Sequence, residues 1–124
     1  MRIAGIGFRD EAGLESVLDA LEQADATRAD RLAIPARKAG HPLCHALAAR
    51  GHHLVWITDE VMAATQTPTQ SPIALRHYGT GSVAEAAALA GARMLDAGAR
   101  LAGLRALSAD RLATAALALT GDAS

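Results

Sequence analysis

The sequence predicts a three-layer α/β/α fold in a single domain spanning residues 1–124, built on a mostly parallel sheet of about five strands. Short apolar runs bounded by turn residues alternate with segments whose apolar residues repeat every three to four positions, as in α/β proteins. A length of 124 residues suits one hydrophobic core. The last two apolar segments, 100–107 and 111–119, are joined by residues 108–110, which predicts a closing hairpin and therefore an antiparallel last strand.

The chain opens with a predicted strand and an amphipathic helix. Residues 3–6 form a short apolar run, and Gly5 and Gly7 predict that it ends in a glycine turn. After Gly13, apolar residues fall at i, i+3, i+4 and i+7 with acidic residues between them. This spacing predicts a helix with one buried and one exposed face.

Two further strands follow, each with its own helix. Residues 31–34 predict the second strand, and the next helix has Pro42 in its first turn and Gly51 as its C-terminal cap. Residues 54–57 predict the third strand, followed by a short helix over 59–64.

The second half of the chain begins with a loop and a well-defined helix. Residues 65–72 are polar, contain two prolines and lack apolar periodicity, which predicts a loop. Residues 82–94 are rich in alanine and bounded by glycines, which predicts a helix.

The composition excludes several classes of protein. Hydrophobic residues make up 51% of the chain, while the aromatic stock is one Phe, one Trp and one Tyr. Twelve basic and 13 acidic residues give a net charge of −1, with no run of like charges. A nucleic-acid binder would need a basic patch or a set of stacking aromatics, so we expect no nucleic-acid partner.

Cys44 is the only cysteine, which excludes an intrachain disulfide and a cysteine-rich zinc site. Its place on the apolar flank of the second helix favours the core over a reactive thiol. A charged pair appears after eight residues, too early for a secretory signal, and no uncharged apolar run reaches about 18 residues. We therefore expect a cytoplasmic protein without a membrane partner.

Two glycine turns are candidate ligand sites, because ligands of open α/β sheets bind beyond the carboxyl ends of the strands. Gly5 and Gly7 lack the third glycine of a dinucleotide fingerprint, so a simple tight turn explains them equally well. Residues 79–81 precede the alanine-rich helix, where free backbone N–H groups suit phosphate or carboxylate. Ser82 and Glu85 match a capping box, with each side chain accepting from the other residue's N–H. Capping alone would also account for these two residues.

The histidines and basic residues suggest two further kinds of site. His41 and His45 lie four apart on the second helix, and His52 and His53 follow its end, but no third ligand has a defined position. We therefore predict surface histidines and neither a metal nor a cofactor. Other basic residues follow strands or precede the second glycine turn, which predicts a cationic rim for an acidic ligand, although solvated loop charges would give the same pattern. This rim comprises Arg9, Arg37, Lys38, Arg76 and His77.

Two motifs carry a resemblance to a known family. GIGFR at 5–9 and GTGSVAEAAAL at 79–89 resemble the cobalamin-biosynthesis family of CobE and the C-terminal domain of CbiG. That family opens with a GIGxR-type turn and has GTxSVAEAAAL as its most specific motif, and Gly81 stands here at the variable position. The likeness covers essentially the whole chain, whose length is similar to that of the free-standing CobE type.

The resemblance implies a role in making the corrin ring of vitamin B12, with a precorrin as ligand and other cobalamin-pathway enzymes as further partners. We expect a tetrapyrrole-binding protein that carries or helps process an acidic precursor of the precorrin or hydrogenobyrinic acid type. One alternative is a hydrolase that opens the lactone of a precorrin-5A-type intermediate, with Glu85 or a histidine as general base. Another is a regulatory domain that binds a nucleotide or small anion. The expected ligand-binding residues are Gly5, Gly7, Arg9, Lys38, Gly79, Thr80, Gly81 and Ser82.

Overall fold

The computed structural model describes residues 1–121 and contains a six-stranded sheet with helices on both faces. The strands are β1 Arg2–Phe8, β2 Arg31–Pro35, β3 Leu54–Ile57, β4 Arg100–Leu101, β5 Ala106–Leu107 and β6 Ala113–Leu119. The helices are α1 Leu14–Gln23, α2 Pro42–Ala49, α3 Asp59–Ala64, α4 Pro72–Tyr78 and α5 Val83–Arg93, with a 3₁₀ turn at Ala36–Lys38. None of the helices in this described part is long and apolar enough to cross a membrane.

The strand order confirms the predicted sheet. The order is β3-β2-β1-β6-β4, and β5 also pairs with β6. β1, β2 and β3 are parallel, whereas β6 runs antiparallel to β1, β4 and β5. The predicted antiparallel last strand and closing hairpin are therefore present. The sheet has six strands rather than five, because the segment 100–107 forms two short strands, and β6 lies between β1 and these two.

The two faces of the sheet carry separate apolar cores. α1 and α2 cover one face, where Val17 and Leu47 pack against side chains such as Ile6 and Leu117. α3 and α5 cover the other face, whose core is built mainly from alanines. Cys44 is buried in the first core as predicted, and this burial raises the pKa of its thiol.

The predicted turn at Gly5 and Gly7 is wrong, because both residues lie inside β1. Their lack of a side chain allows α5 to pack directly on the strand backbone. A Cβ at Gly5 would lie 2.0 Å from the carbonyl oxygen of Ala84 and 2.3 Å from the backbone nitrogen of Ala88. The two glycines that suggest a turn in the sequence are therefore needed for close packing between helix and strand.

Helix α4 has no counterpart among the predicted elements. It begins at Pro72, a residue tolerated at the first helical position, with Ser71 as its N-cap. Gly79 ends it in the left-handed conformation, at a φ of +73°. Ala74 is its only buried residue, so its seven residues show no apolar periodicity in the sequence. The preceding segment, 65–71, is a loop as predicted.

Candidate ligand-binding cleft

A cleft of about 1010 Å³ opens at the carboxyl ends of β1 and β2. This is the end of an open α/β sheet at which ligands bind. Because β6 is antiparallel to β1, with Phe8 opposite Ala113, the beginning of β6 lies at the same edge. Helix α4 and the segment around β5 also contribute lining residues. The cleft is therefore built by elements distant in the sequence.

The charge of the cleft is strongly one-sided. Six of the chain's 12 lysines and arginines line it, together with His77. Asp10 is the only acidic residue within 1–121 that does so. A chain with a net charge of −1 thus concentrates half of its fixed positive charge at one site. The six cationic residues are Arg9, Arg37, Lys38, Arg76, Arg105 and Arg111.

Four of these side chains are available to a ligand. Within residues 1–121, the guanidinium groups of Arg9, Arg76, Arg105 and Arg111 have no hydrogen bond or ion pair with another side chain. A guanidinium group carries five N–H donors in a planar fork that matches a carboxylate. The four arginines could therefore bind several carboxylates at once.

Arg37 has a different role, because its guanidinium group already contacts three neighbouring residues. Its Nε lies 3.0 Å from Asp59 Oδ1, and one terminal nitrogen donates to the carbonyl oxygen of His77 at 2.9 Å. The guanidinium carbon also lies 4.0 Å from the centre of the Tyr78 ring. The hydrogen bond to Asp59 raises the pKa of Arg37. These contacts hold the end of α4 against the 3₁₀ turn, so Arg37 shapes the wall of the cleft.

Lys38 is paired with Asp10, an acidic residue that lines the cleft. Its Nζ lies 2.6 Å from Asp10 Oδ1, and the ammonium group is 5.1 Å from the centre of the Phe8 ring. The hydrogen bond and charge of Lys38 lower the pKa of Asp10. His41 connects the start of α2 to the backbone of Asp10. Its Nδ1 accepts a hydrogen bond from the N–H of Leu43 and so caps α2, and its Nε2 lies 2.8 Å from the carbonyl oxygen of Asp10.

Arg111 enters the cleft from a turn with unusual backbone geometry. Its φ is +62°, a conformation that costs a non-glycine residue about 1–2 kcal/mol. The carboxylate of Asp110 holds this turn by accepting hydrogen bonds from Ser108 Oγ at 2.5 Å and Ser16 Oγ at 2.6 Å. Those two hydrogen bonds, with one from the N–H of Leu112, lower the pKa of Asp110. Backbone strain of this kind is common at functional sites.

Apolar side chains give the cleft a second chemical character. Ile73 on α4 is 57% exposed and Leu107 on β5 is 40% exposed, and both line the cleft. Phe8, Val83 and Leu112 add apolar surface to the lining. An apolar surface with arginines around it suits a large ligand with a hydrophobic body and an acidic periphery.

The second glycine turn does not line the cleft, contrary to its predicted role as an open anion site. Thr80 Oγ1 donates to the carbonyl oxygen of Thr65 at 3.0 Å. A Cβ at Gly81 would lie 2.2 Å from the carbonyl oxygen of Thr69. The turn is thus packed against the loop 65–71, which occupies the space where an anion would approach.

Glu85 forms only half of the predicted capping box. Its N–H donates to Ser82 Oγ at 3.2 Å, so Ser82 caps α5 as predicted. The Glu85 carboxylate instead accepts from the N–H and Oγ1 of Thr69, at 2.9 and 2.7 Å, and from the N–H of Arg105 at 2.8 Å. Fully buried and outside the cleft lining, Glu85 joins the loop 65–71 to the segment before β5.

The structure brings together part of the predicted site. All five residues of the predicted cationic rim line the cleft, as does Gly7. Gly5, Gly79, Thr80, Gly81 and Ser82 do not. The other lining residues were not predicted as ligand contacts, among them Asp10, Tyr78, Arg105 and Arg111. The antiparallel pairing of the last strand is the signal that could have placed Arg105 and Arg111 opposite the end of β1.

Comparisons with known proteins agree on one family. A family model described as "Cobalamin synthesis G C-terminus" matches residues 2–118. The crystal structure of CobE, a protein from the cobalamin (vitamin B12) biosynthetic pathway, is 35% identical with a TM-score of 0.79, covering 95% of this chain and 89% of that one. The cobalamin biosynthesis protein chiG from Agrobacterium tumefaciens str. C58 is 32% identical with a TM-score of 0.72, covering 98% of this chain and 100% of that one. No curated protein matches the chain.

Proposed function

Since the chain belongs to the family described as cobalamin synthesis G C-terminus, we propose that it binds an acidic corrin-ring precursor in the cleft and carries it or helps to process it. The family places the chain in cobalamin biosynthesis. The identity of the ligand as a precorrin or hydrogenobyrinic acid type of tetrapyrrole is the proposal.

The observation that carries this proposal is the concentration of cationic side chains around a large, partly apolar cleft. Its volume of about 1010 Å³ is at the upper end of the ~300–1,000 Å³ range of small-molecule sites. A corrin precursor has a broad apolar macrocycle and several acetate and propionate carboxylates at its edge. Ile73 and Leu107 offer apolar surface to such a macrocycle, and the free arginines offer bidentate partners to its carboxylates.

The same geometry gives less support to the two alternatives. A general base must come within hydrogen-bonding distance of the proton it removes. The buried Glu85 carboxylate already accepts three hydrogen bonds outside the cleft, which leaves His77 as the candidate base that lines it. A nucleotide or small anion at residues 79–82 would have to displace the loop 65–71. Binding and transfer of a tetrapyrrole therefore account best for the cleft.

The test is an absorption titration of the purified protein with hydrogenobyrinic acid. We expect saturable binding that weakens by about tenfold or more in the double variant Arg9→Ala/Arg76→Ala, because a hydrogen bond to a charged group contributes about 1.5–3 kcal/mol. The matched control is Arg28→Ala/Arg93→Ala, which removes the same charge at exposed positions outside the cleft.

Each possible result separates one interpretation from the others. Equal dissociation constants for the two double variants would show that the ligand does not bind in the cleft. Absence of binding by the wild-type protein, together with saturable binding of ATP, would favour the nucleotide alternative. A tetrapyrrole recovered with a changed mass after incubation would indicate catalysis.

A further inference from the structure

Lys38 and Asp10 form an ion pair at the place where an acidic ligand would bind. Asp10 is the single carboxylate that lines the cleft among the described residues, and its Oδ1 lies 2.6 Å from Lys38 Nζ. In geometry and charge, this carboxylate occupies the position that a ligand carboxylate would take against the same lysine.

We propose that Asp10 is an internal competitor of the ligand: a carboxylate of the bound tetrapyrrole displaces Asp10 from Lys38, and Asp10 thereby sets how tightly the ligand is held. This inference rests on the proposed function. It assigns to Asp10 the role of limiting affinity, which a protein that hands its ligand onward requires.

The two side chains differ in how firmly they are held. The Lys38 side chain is only 17% exposed and lies over the Phe8 ring, so it keeps its position when its partner leaves. The Asp10 side chain is 86% exposed, so its carboxylate is free to turn into water. An ion pair whose carboxylate is open to solvent is weak, so a ligand with several carboxylates can displace it.

The backbone around Asp10 does not depend on the ion pair. The Asp10 carbonyl oxygen lies 2.8 Å from His41 Nε2. The N–H of Arg9 donates to the carbonyl oxygen of Leu112, and the N–H of Ala12 donates to the carbonyl oxygen of Arg9. These bonds fix the turn after β1 by main-chain groups, so a change of the Asp10 side chain leaves the wall of the cleft in place.

Asp59, the other acidic partner of a cleft cation, does not fit this role. It pairs with Arg37 but does not line the cleft. Arg37 is also held by the His77 carbonyl oxygen and the Tyr78 ring, so a ligand would have to break three contacts to release it. Displacement by a ligand is therefore specific to the Asp10 pair.

The test compares Asp10→Asn with Glu11→Gln in a titration with hydrogenobyrinic acid. Both variants remove one negative charge from neighbouring exposed residues, but only Asp10 pairs with a cleft lysine. We expect Asp10→Asn to lower the dissociation constant by about two- to fivefold, mainly through slower release, and Glu11→Gln to change it less than about twofold. In a Lys38→Met background, the effect of Asp10→Asn should fall to that of Glu11→Gln.

The outcomes distinguish this inference from the proposed function. If the wild-type protein binds the ligand but Asp10→Asn binds equally or more weakly, Asp10 positions Lys38 rather than competing for it, and the inference is overturned alone. Equal tightening by Asp10→Asn and Glu11→Gln, or the same gain in the Lys38→Met background, also overturns it. If the wild-type protein does not bind the tetrapyrrole, the proposed function fails, and the inference fails with it. Unchanged thermal unfolding of each variant controls for folding.

Discussion

At the scale of single residues, Glu85 shows how a buried polar side chain can serve the architecture rather than a ligand site. Its carboxylate is fully buried and accepts three hydrogen bonds from two segments that are distant in the sequence. Replacing a buried carboxylate with this many donors destabilises the protein. Each donor left without an acceptor has been removed from water and forms no hydrogen bond in exchange.

We therefore expect Glu85→Gln to lower the free energy of unfolding by about 1–3 kcal/mol, because the amide nitrogen would face a donor in place of an acceptor oxygen. Urea unfolding of this variant is compared with that of Glu22→Gln, an exposed position on α1 where little change is expected. Equal stability of the two variants would contradict the structural role of Glu85.

At the scale of elements, β1 and α5 depend on glycine at one contact. The helix lies so close to the strand that a Cβ at Gly5 would overlap the backbone of α5 at Ala84 and Ala88. We expect Gly5→Ala to destabilise the protein by at least about 3 kcal/mol, since neither backbone can move without disturbing the core around it.

The matched control for this prediction is Gly103→Ala, because a Cβ at Gly103 would meet no atom within 4 Å and its φ is not positive. Its unfolding temperature should stay close to that of the wild type. A Gly5→Ala variant that unfolds at the same temperature as Gly103→Ala would show that α5 does not pack on β1 as described.

The elements also show which features the sequence could predict. Apolar periodicity identified α1, alanine content with bounding glycines identified α5, and short apolar runs identified the three parallel strands. Helix α4 has seven residues with one buried, so no period marks it. The glycines of β1 and the partners of Glu85 depend on contacts with segments more than a dozen residues away, which local patterns do not contain.

At the scale of the whole molecule, the net charge is close to zero although the charge of the cleft is strongly positive. A chain with 12 basic and 13 acidic residues has no electrostatic preference in its composition, yet its topology collects six cations at one edge of the sheet. The rim at the ends of β1 and β2 followed from the fold class alone. Arg105 and Arg111 reach the cleft because β6 returns antiparallel beside β1, so their position required the complete sheet.

This distribution predicts how binding responds to salt. Of the four arginines without a side-chain partner, Arg105 is half-buried and the other three are exposed. Their attraction to ligand carboxylates is therefore screened as the Debye length falls from ~10 Å at 0.1 M salt to ~3 Å at 1 M. We expect the dissociation constant of hydrogenobyrinic acid to rise by about tenfold or more across that range.

The control ligand is the same macrocycle with its carboxylates esterified. It should bind more weakly at low salt, and its dissociation constant should change little as the salt concentration rises, because only the apolar contacts with side chains such as Ile73 and Leu107 remain. Equal salt dependence for the acid and the ester would mean that the arginines do not contact the carboxylates, and that the macrocycle is held by its apolar surface instead.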